Sequence, residues 1–495
     1  MGIIIRQSVQ NTVISYAGIS LGFVVTIFMF PNILTTEQYG LTRVLISLAV
    51  VGTQFANLGI NNTVVRFFPY FRDSEKNHHG FLFIALSVPL VGFLFFGGVF
   101  VLFEESIIKQ FLERSALLLE YYWYLLPLAL FILYFNVLNY FIRALFDTVL
   151  ASFLNEILIR VLTAVLLVVY LFEWIDFNQF VIIFVMNYGI ILIILFLYTL
   201  FIKNISLKPD LKFLSKPLLK EIFTFSFFAF LGGVASIIVS NIDIIMLSSL
   251  AGLEETGIYA IAFYVGSVVV VVRASIHKIS APIIASALKE NNYDFVDNIY
   301  KKSSLNSIIG GGLLFCGIIA NLENLMNLLP EAYAGGAAVI IVIASANLFD
   351  MATGLNGAII LNSKHYRFDL YSTVFLIIIT VILNYLLIPL YGILGAAIGT
   401  ASAIFSYNLL KVIFVWIRFS MQPFDWQIGW VFGVGILVLV LSSQVGTIGN
   451  IYLDIFIRST VITVVYLIPI IILNISKDLN NLVAKTIDEI QNFVR

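Results

Sequence analysis

Long apolar runs recur along the whole chain and limit it to one kind of fold. The stretch FLFIALSVPLVGFLFFGGVFVLF (81–103), for example, contains no charged residue. A helix needs about 20 such residues to cross roughly 30 Å of hydrocarbon, and the runs lack the alternation of a membrane barrel. With 61% hydrophobic and 11% charged residues, a soluble globule could not cover its surface with polar groups. We therefore expect an all-α integral membrane protein.

Turns marked by charged residues, proline or glycine divide the sequence into fourteen predicted transmembrane spans. In order they are 8–33, 40–65, 80–103, 117–142, 149–172, 180–202, 222–248, 256–282, 303–325, 336–361, 370–389, 392–417, 426–444 and 456–475. The remaining stretch, 476–495, carries apolar residues on one helical face. It is expected to lie as an amphipathic helix on the inner membrane surface.

The distribution of basic residues predicts the orientation of the chain. If the N-terminus is cytoplasmic, 22 of the 27 lysine and arginine residues lie at or near the inner face. The outer turns then carry mostly acidic residues, among them Glu37, Glu104 and Glu254. Under the positive-inside rule this asymmetry places both ends in the cytoplasm and supports an even number of spans.

One short turn occurs twice. TTEQYG (35–40) follows span 1 and LEETGIY (253–259) follows span 7, with Gly40 aligned on Gly257 at an offset of 217 residues. Six spans separate the copies, so both enter the membrane in the same direction, which predicts two parallel six-helix lobes related by an axis along the membrane normal. The predicted organisation is an N-lobe at 1–202, a basic cytoplasmic linker at 203–221, a C-lobe at 222–425, a final helix pair at 426–475 and a tail at 476–495.

Small and polar residues line one face of spans 1, 2 and 7. The stripes comprise Ser8, Asn11, Ser15, Gly18, Gly22 and Thr26 in span 1, Ser47, Gln54 and Asn61 in span 2, and Ser226, Ala229, Gly233, Ser236, Ser240 and Asp243 in span 7. Such stripes are common at packing seams between membrane helices, and that interpretation stays open for each helix. The alternative is a polar cavity, with Asn11, Gln54, Asn61 and Ser240 as lining candidates.

Charged residues inside spans carry more information, because each costs several kcal/mol in hydrocarbon unless it is paired or hydrated. Arg273 lies about 24 Å from the outer end of span 8, with no acidic residue within one turn. With Arg66 and Lys278 it predicts a cationic inner cavity, and snorkelling of these side chains to lipid headgroups is the alternative.

Four other charged residues within the spans are spaced so that they can pair along one helix. Two pairs at a spacing of four residues, Arg143 with Asp147 and Glu156 with Arg160, are expected to neutralise each other on their own helices.

Asp350, at mid-depth in span 10, could bind a coupling cation or form an ion pair, with Arg273 or with a residue of the other lobe. Asp243 is a second coupling-ion candidate. Arg43 and Asp243 both lie near the outer surface, and we hypothesise that they form an outer gate pair.

Several motifs, taken in order, resemble a known family. They are LTTEQYGL (34–41), NLGINNTVVRF (57–67), NIDIIMLSSLAGLEETGIYAIA (241–262) and PLYGILGAAIGTA (389–401). Together they resemble the polysaccharide-transporter branch of the multidrug/oligosaccharidyl-lipid/polysaccharide exporter superfamily, which includes O-antigen, teichuronic-acid and lipid II flippases. The resemblance covers roughly residues 1–420.

The resemblance implies a two-lobed, fourteen-helix transporter in the bacterial cytoplasmic membrane. Such a protein flips undecaprenyl-pyrophosphate-linked oligosaccharide by alternating access, with membrane lipids and polysaccharide polymerase machinery as partners. Arg273, Arg66 and Lys278 would then line a cationic lumen, because arginine meets phosphate oxygens bidentately. Spans 13 and 14 resemble the extra pair that lines a groove for the lipid tail in the lipid II branch.

Two other function classes remain as alternatives. A cation-coupled multidrug or metabolite exporter of the same superfamily commonly carries an acidic site in its first helix, and span 1 has no Asp or Glu. A membrane glycan polymerase or ligase would be expected to carry a sizeable external loop, which the sequence lacks. No nucleotide motif or multi-cysteine metal site is present, so we expect a transporter and not an enzyme, with no cofactor, no metal and no nucleic-acid partner.

Overall fold

A computed structural model describes residues 2–494 apart from 74, 112, 203–206, 209, 211, 212, 214, 445, 447 and 448. All regular structure in these described residues is helical. Within them, eleven helices are long and apolar enough to cross a membrane. Two shorter apolar helices, Gly336–Ala352 and Trp426–Ser442, accompany the eleven. The predicted all-α, multi-pass membrane protein is confirmed.

The chain packs as two compact units, residues 1–257 and 258–495. The helices up to the seventh predicted span are α1 (Gly2–Phe23), α2 (Phe30–Ile33), α3 (Thr36–Asn57), α4 (Ile60–Phe71), α5 (Phe81–Leu102), α6 (Glu104–Phe111), α7 (Ala116–Glu120), α8 (Leu125–Ala144), α9 (Val149–Phe153), α10 (Ile159–Leu171), α11 (Phe177–Leu197) and α12 (Lys216–Leu250). Short π-helical segments, Val24–Met29 and Leu154–Leu158, join α1 to α2 and α9 to α10.

The later helices begin with α13, which straddles the boundary between the units. They are α13 (Leu253–Ser267), α14 (Val271–Lys289), α15 (Tyr293–Ala320), α16 (Leu322–Leu328), α17 (Gly336–Ala352), α18 (Asn356–Leu361), α19 (Arg367–Phe419), α20 (Trp426–Ser442), α21 (Ile451–Ile472) and α22 (Lys477–Val494). The unit boundary therefore falls within α13, and the predicted two-lobe division at the linker stays a prediction.

Four predicted spans are interrupted or merged in ways that hydropathy does not reveal. Span 2 breaks between α3 and α4, where Leu58 and Gly59 adopt positive φ. Span 10 breaks between α17 and α18, around Gly354 with φ +63°. Spans 11 and 12 form the single element α19, which is interrupted at Gly392 (φ 54°, ψ −131°). In each break a glycine allows a backbone conformation that side chains disfavour.

The first copy of the doubled turn starts a helix. Thr35 is the N-cap of α3: its hydroxyl accepts a hydrogen bond from the amide of Gln38 at 3.1 Å, and the Gln38 side chain accepts one from the amide of Thr35 at 3.1 Å. This reciprocal capping box satisfies two amides that a helix start leaves without partners. The polar residues TTEQ are thus explained by local structure.

The two copies of the turn contact each other within the first unit. A methyl group added to Gly40 would overlap the carbonyl oxygen of Leu253, and one added to Gly257 would overlap that of Thr36. Thr36 and Leu253 are equivalent by the 217-residue offset, so the two contacts are reciprocal. The glycines at equivalent positions therefore let the two helix starts approach to backbone contact.

The predicted linker ends earlier than expected. Ser215 caps α12 by accepting a hydrogen bond from the amide of Leu218 at 3.4 Å, so residues 216–221 are helical. Earlier in the linker, Phe213 stacks on His79 at 3.9 Å, and Asp210 Oδ2 lies 3.0 Å from His79 Nδ1. These contacts attach the linker to the first unit. Several linker residues, such as Lys203 and Lys212, lie outside the described residues.

The predicted tail helix is present as α22. Its Leu479 packs against the apolar cluster that α15, α20 and α21 bury in the second unit. Asn306 donates a hydrogen bond to Asp478 at 3.1 Å, which ties the start of α22 to α15.

Candidate functional site

A charged network lies at the break between α17 and α18. Asp350, at the end of α17, accepts a hydrogen bond at Oδ2 from Arg273 Nη1 of α14. Its other oxygen accepts one from Asn408 Nδ2 of α19 at 2.8 Å. Thr353 in the break donates its hydroxyl proton to Asn408 Oδ1 at 3.1 Å. The carboxylate is thus held from two sides and neutralises the arginine.

Of the interpretations open for Asp350, the structure contains the ion pair with Arg273. The Arg273 side chain keeps 28% of its surface exposed, and that of Asp350 only 12%. A guanidinium has five N–H groups, and the pair with Asp350 uses only part of them. Arg273 therefore retains donors that could meet an anion.

Sequence reasoning missed a second buried pair. Lys411 of α19 donates to Asp369 Oδ1 at 2.6 Å and to the hydroxyl of Tyr407, and only 4% of its side chain is exposed. From the sequence alone, Lys411 is grouped with the cations of the inner face. Its partner lies 42 residues earlier, so residue spacing gives no sign of the pair. An available signal was the polar spacing of Asn408 and Lys411, one helical turn apart in an apolar span.

Arg66 occupies a more open position on α4, in the first unit. Its guanidinium lies 3.7 Å from Glu221 of α12, and both side chains are 53% exposed. It also lies 4.3 Å from the centroid of the Phe225 ring. An exposed pair of this kind is weak, so Arg66 remains available to another anion.

The polar stripes of spans 2 and 7 meet each other. A methyl group on Gly233 would overlap the Gln54 amide, and one on Gly59 would overlap the carbonyl oxygen of Ser226. The hydroxyls of Thr63 and Ser226 are 2.7 Å apart. Along this length the two stripes form a packing seam.

Three further candidates for the lining of the lumen, considered next, differ in their surroundings. Ser240 is exposed and donates its hydroxyl to the carbonyl of Ser236 at 3.1 Å. Asn61 has a buried side-chain oxygen with no hydrogen-bond partner among the described residues. Lys278 is exposed on α14. Their proposed role in lining a lumen stays a prediction.

The stripe of span 1 faces α9 and α10. Asn11 Nδ2 donates to the hydroxyl of Thr148 at 2.7 Å. Methyl groups on Gly18 and Gly22 would meet the Arg160 guanidinium, which therefore lies across both glycines. Here too the small residues serve close packing.

One of the two predicted intrahelical pairs is present. Arg160 Nη1 donates to Glu156 Oε2 at 3.0 Å, as expected. Arg143 instead lies 5.4 Å from the ring centroid of Tyr140, while Asp147 accepts a hydrogen bond from the hydroxyl of Tyr198 at 2.6 Å. The pair of Arg143 and Asp147 therefore stays a prediction, and the observed partner of Asp147 is a tyrosine of the neighbouring helix.

The two residues of the hypothesised outer gate, Arg43 and Asp243, lie on α3 and α12 of the first unit. Arg43 Nε is buried without a hydrogen-bond partner among the described residues. Asp243 is buried in α12, with 7% of its surface exposed. The outer gate pair stays a prediction, as does the coupling-ion role of Asp243.

An apolar groove of about 310 Å³ lies beside α20 and α21 in the second unit. It is lined by α15, α17, α20 and Tyr466 of α21, and includes Phe315, Cys316 and Gly435. Among the described residues, no group of three or more His, Cys, Asp or Glu side chains is placed to hold a metal ion.

Spanning helices that are broken at polar, glycine-containing segments recur in membrane transporters. The structure is similar to a lipid II flippase, MurJ, in an inward closed conformation (TM-score 0.72, 13% identity, 93% of this chain and 97% of that chain). It is also similar to an inward-facing multidrug resistance transporter of the MATE family (0.61, 14%, 82% and 98%). A third similar structure is a MOP superfamily transporter from Pyrococcus furiosus with a binding pocket of reversed polarity (0.52, 17%, 84% and 95%). At these identities the likeness concerns the fold.

Residues 6–288 match the family of polysaccharide biosynthesis proteins, and the chain belongs to this family. No curated protein matches the sequence significantly. The resemblance predicted from the motifs is confirmed for the family, that of polysaccharide biosynthesis proteins, and for the fold.

Proposed function

We propose that this protein is a flippase that moves undecaprenyl-pyrophosphate-linked oligosaccharide from the inner to the outer leaflet by alternating access through a cationic lumen. The observation that carries the proposal is the pair of Arg273 and Asp350, which places a partly exposed guanidinium inside a spanning helix. Membership of the polysaccharide biosynthesis family supports a glycan cargo.

The cargo explains why such residues are needed. Sugar hydroxyls and a pyrophosphate lose their hydrogen bonds and hydration in hydrocarbon, at a cost of several kcal/mol for each group. Polar and cationic side chains replace this hydration. In this proposal Arg66 and Arg273 bind the pyrophosphate, Lys278 adds positive charge, and Asn61 and Ser240 meet the sugars. Gln54 and Asn11 are left out of this role because they lie in packing seams.

In this proposal Arg273 has two alternative partners, the Asp350 carboxylate and the pyrophosphate of the cargo. While the carboxylate is charged, it competes with the pyrophosphate for the same guanidinium. A cation bound at Asp350 would neutralise the carboxylate and release Arg273 to the cargo. In this proposal the site has two states: Asp350 either pairs with Arg273 or binds the coupling cation.

We further propose fourteen spans with both ends in the cytoplasm. The 53 residues of α19 would extend about 80 Å, more than twice the hydrocarbon thickness, so the break at Gly392 separates two spans. The short helices Gly336–Ala352, extended by α18, and Trp426–Ser442 supply two more. The groove beside α20 and α21 suits the apolar tail of the cargo, which then need not enter the lumen.

The test is flipping of lipid-linked oligosaccharide in proteoliposomes, measured beside protein abundance. Arg273→Ala leaves Asp350 unpaired inside a span, so we expect both transport and abundance to fall. The double change Arg273→Ala with Asp350→Ala removes both charges and should restore abundance. If Arg273 binds cargo, transport stays lost in the double variant, and Arg273→Lys recovers it only in part.

The matched control is Lys302→Ala, an exposed cation on α15. Its transport should equal that of the unchanged protein. Normal flipping by the double variant would remove Arg273 from the mechanism. Efflux of cationic drugs without any flipping would instead favour the exporter alternative.

A further inference from the structure

Three turns at one end of the second unit enclose a polar basin of about 900 Å³. The basin lies where α14 ends and α15 begins, after α18, and where α19 ends. Its lining includes Lys289, Tyr293, Lys364, His365, Arg418 and Ser420. Its volume lies within the range of small-molecule sites in proteins.

The basin carries positive charge that the protein does not neutralise. Lys289, Lys364 and Arg418 are exposed, and no aspartate or glutamate lines the basin. None of these three cations has an ion-pair partner among the described residues, whereas Lys301 and Lys411 are each paired with an aspartate. The three free cations face one open volume.

The floor of the basin is firmly packed. Ile284, Val296, Ile359, Val415 and Met421 are buried in one apolar cluster drawn from the segments that form the basin. The rings of Phe368 and Phe414 stack beside it at 3.7 Å. Because this cluster packs together the segments that carry the three turns, their backbone arrangement around the basin does not depend on a ligand.

Large apolar side chains are exposed next to the basin. Ile417 is 71%, Trp416 60% and Leu361 58% exposed, each within one or two residues of a lining residue. Tyr293 and Tyr366 lie on its rim. Exposed tryptophan and tyrosine beside apolar residues are typical of the level where hydrocarbon meets headgroups.

We propose that this basin binds the phosphate of an anionic lipid in the inner leaflet. Lysine and arginine donate charge-assisted hydrogen bonds to phosphate, and basic pockets at the cytoplasmic side of membrane helices suit such headgroups. The lipid chains would run along Trp416, Ile417 and Leu361. The inference rests on the orientation in the proposed function, which places this end at the cytoplasmic surface.

The experiment measures lipid bound to the purified full-length protein in neutral detergent by native mass spectrometry. The protein is titrated with phosphatidylglycerol or phosphatidylcholine. We expect preferential binding of phosphatidylglycerol, weakened roughly tenfold or more by the triple change Lys289→Gln, Lys364→Gln and Arg418→Gln, because each charge-assisted bond is worth about a factor of ten.

The control removes the same charge from elsewhere on the face predicted to be cytoplasmic. Lys76, Lys302 and Lys477 are exposed, and their triple change to Gln should leave phosphatidylglycerol binding within about twofold. Equal weakening by both triple variants would mean attraction to surface charge alone and would overturn the proposal.

Lys289 and Arg418 also lie in the last turns of α14 and α19, where a cation stabilises the helix end. If the triple variant is less stable for this reason, the single change Lys364→Gln tests the proposal. Lys364 lies in a turn, so its removal does not weaken a helix end. This single change should still weaken binding several-fold, and unchanged binding would overturn the proposal.

Two further titrations identify the source of the phosphate. A polyprenyl-diphosphate sugar that binds more tightly than phosphatidylglycerol, and loses this binding in the triple variant, identifies the cargo itself. Tighter binding of phosphatidylglycerol identifies a leaflet phospholipid. Both outcomes support a lipid-phosphate site, whereas binding of inorganic phosphate alone contradicts it. Since binding is measured without transport, failure of flipping leaves this result intact.

Discussion

The reciprocal contact between the two copies of the doubled turn gives a sharp prediction for Gly40→Ala. The added methyl group would overlap the carbonyl oxygen of Leu253 and would lie 3.1 Å from the backbone nitrogen of Gly257. Both obstacles are backbone atoms, which cannot rotate away as a side chain can. The helix starts must therefore separate.

The size of the effect follows from this geometry. Overpacking a close contact costs typically about 1–3 kcal/mol, and we expect the upper part of this range because helical backbone has to move. At about 2–4 °C per kcal/mol, a cost of about 2–3 kcal/mol should lower the thermal midpoint by roughly 4–12 °C. Gly257→Ala should behave alike, since its methyl group would overlap the Thr36 carbonyl and lie 3.2 Å from the nitrogen of Gly40.

The double variant tests whether one movement of the two helix starts relieves both contacts. A single separation of the helix starts makes room for both methyl groups, so Gly40→Ala with Gly257→Ala should cost little more than either change alone. The interaction energy should then be about 2 kcal/mol in favour of the double variant. Independent sites would instead give an additive loss.

The assay is thermal unfolding of the purified protein in detergent, with Gly232→Ala as the control. Gly232 lies in α12 of the same unit, and a methyl group there meets no heavy atom within 4 Å. Its midpoint should stay near that of the unchanged protein. Unchanged midpoints for Gly40→Ala and Gly257→Ala, or additive losses, would refute the reciprocal contact.

Three further changes test other parts of the structure. Arg458→Met should destabilise the protein by about 3–5 kcal/mol in thermal unfolding, since it removes the cation from Asp454, which is 1% exposed and lies 3.2 Å from Arg458 Nε; full stability would refute the buried pair. Gly392→Ala should cost about 1–3 kcal/mol in the same assay because of its positive φ, and a neutral result would argue for continuous helix there. A membrane-impermeant amine reagent added to sealed cells should label Lys109 but not Lys216, and the reverse pattern would invert the proposed topology.

The sequence predicts the features that depend on neighbouring residues. Hydropathy marks the spans because burial in lipid acts on about 20 consecutive residues. The TTEQ start of α3 is likewise local, since a capping box spans four residues. The breaks at Gly59 and Gly354 escape this reasoning. Polar residues flank both glycines, but whether a glycine interrupts a helix depends on what packs against it, as Ser226 does at Gly59.

Pairs between distant residues were predictable only in part. Arg273 has no acid within a turn, so an intramembrane partner had to come from another helix, and Asp350 was one named option. Lys411 gave no such warning, because its position near the end of a span allowed it to reach the headgroups. Asp369, at the start of α19, could be assigned to it only once Gly392 had brought the two halves of α19 together.

Three cations of the described spans or their ends pair with acidic residues that are distant in the sequence, and they differ in the binding capacity they retain. Lys411 is 4% exposed and enclosed by Asp369 and Tyr407, so its charge is used within the protein. Arg66 is half exposed and only weakly paired. Arg273 stands between them, with 28% exposure and one strong partner. Of the three, Arg273 therefore combines a fixed position with unused donors, which is what recognition of a phosphate requires.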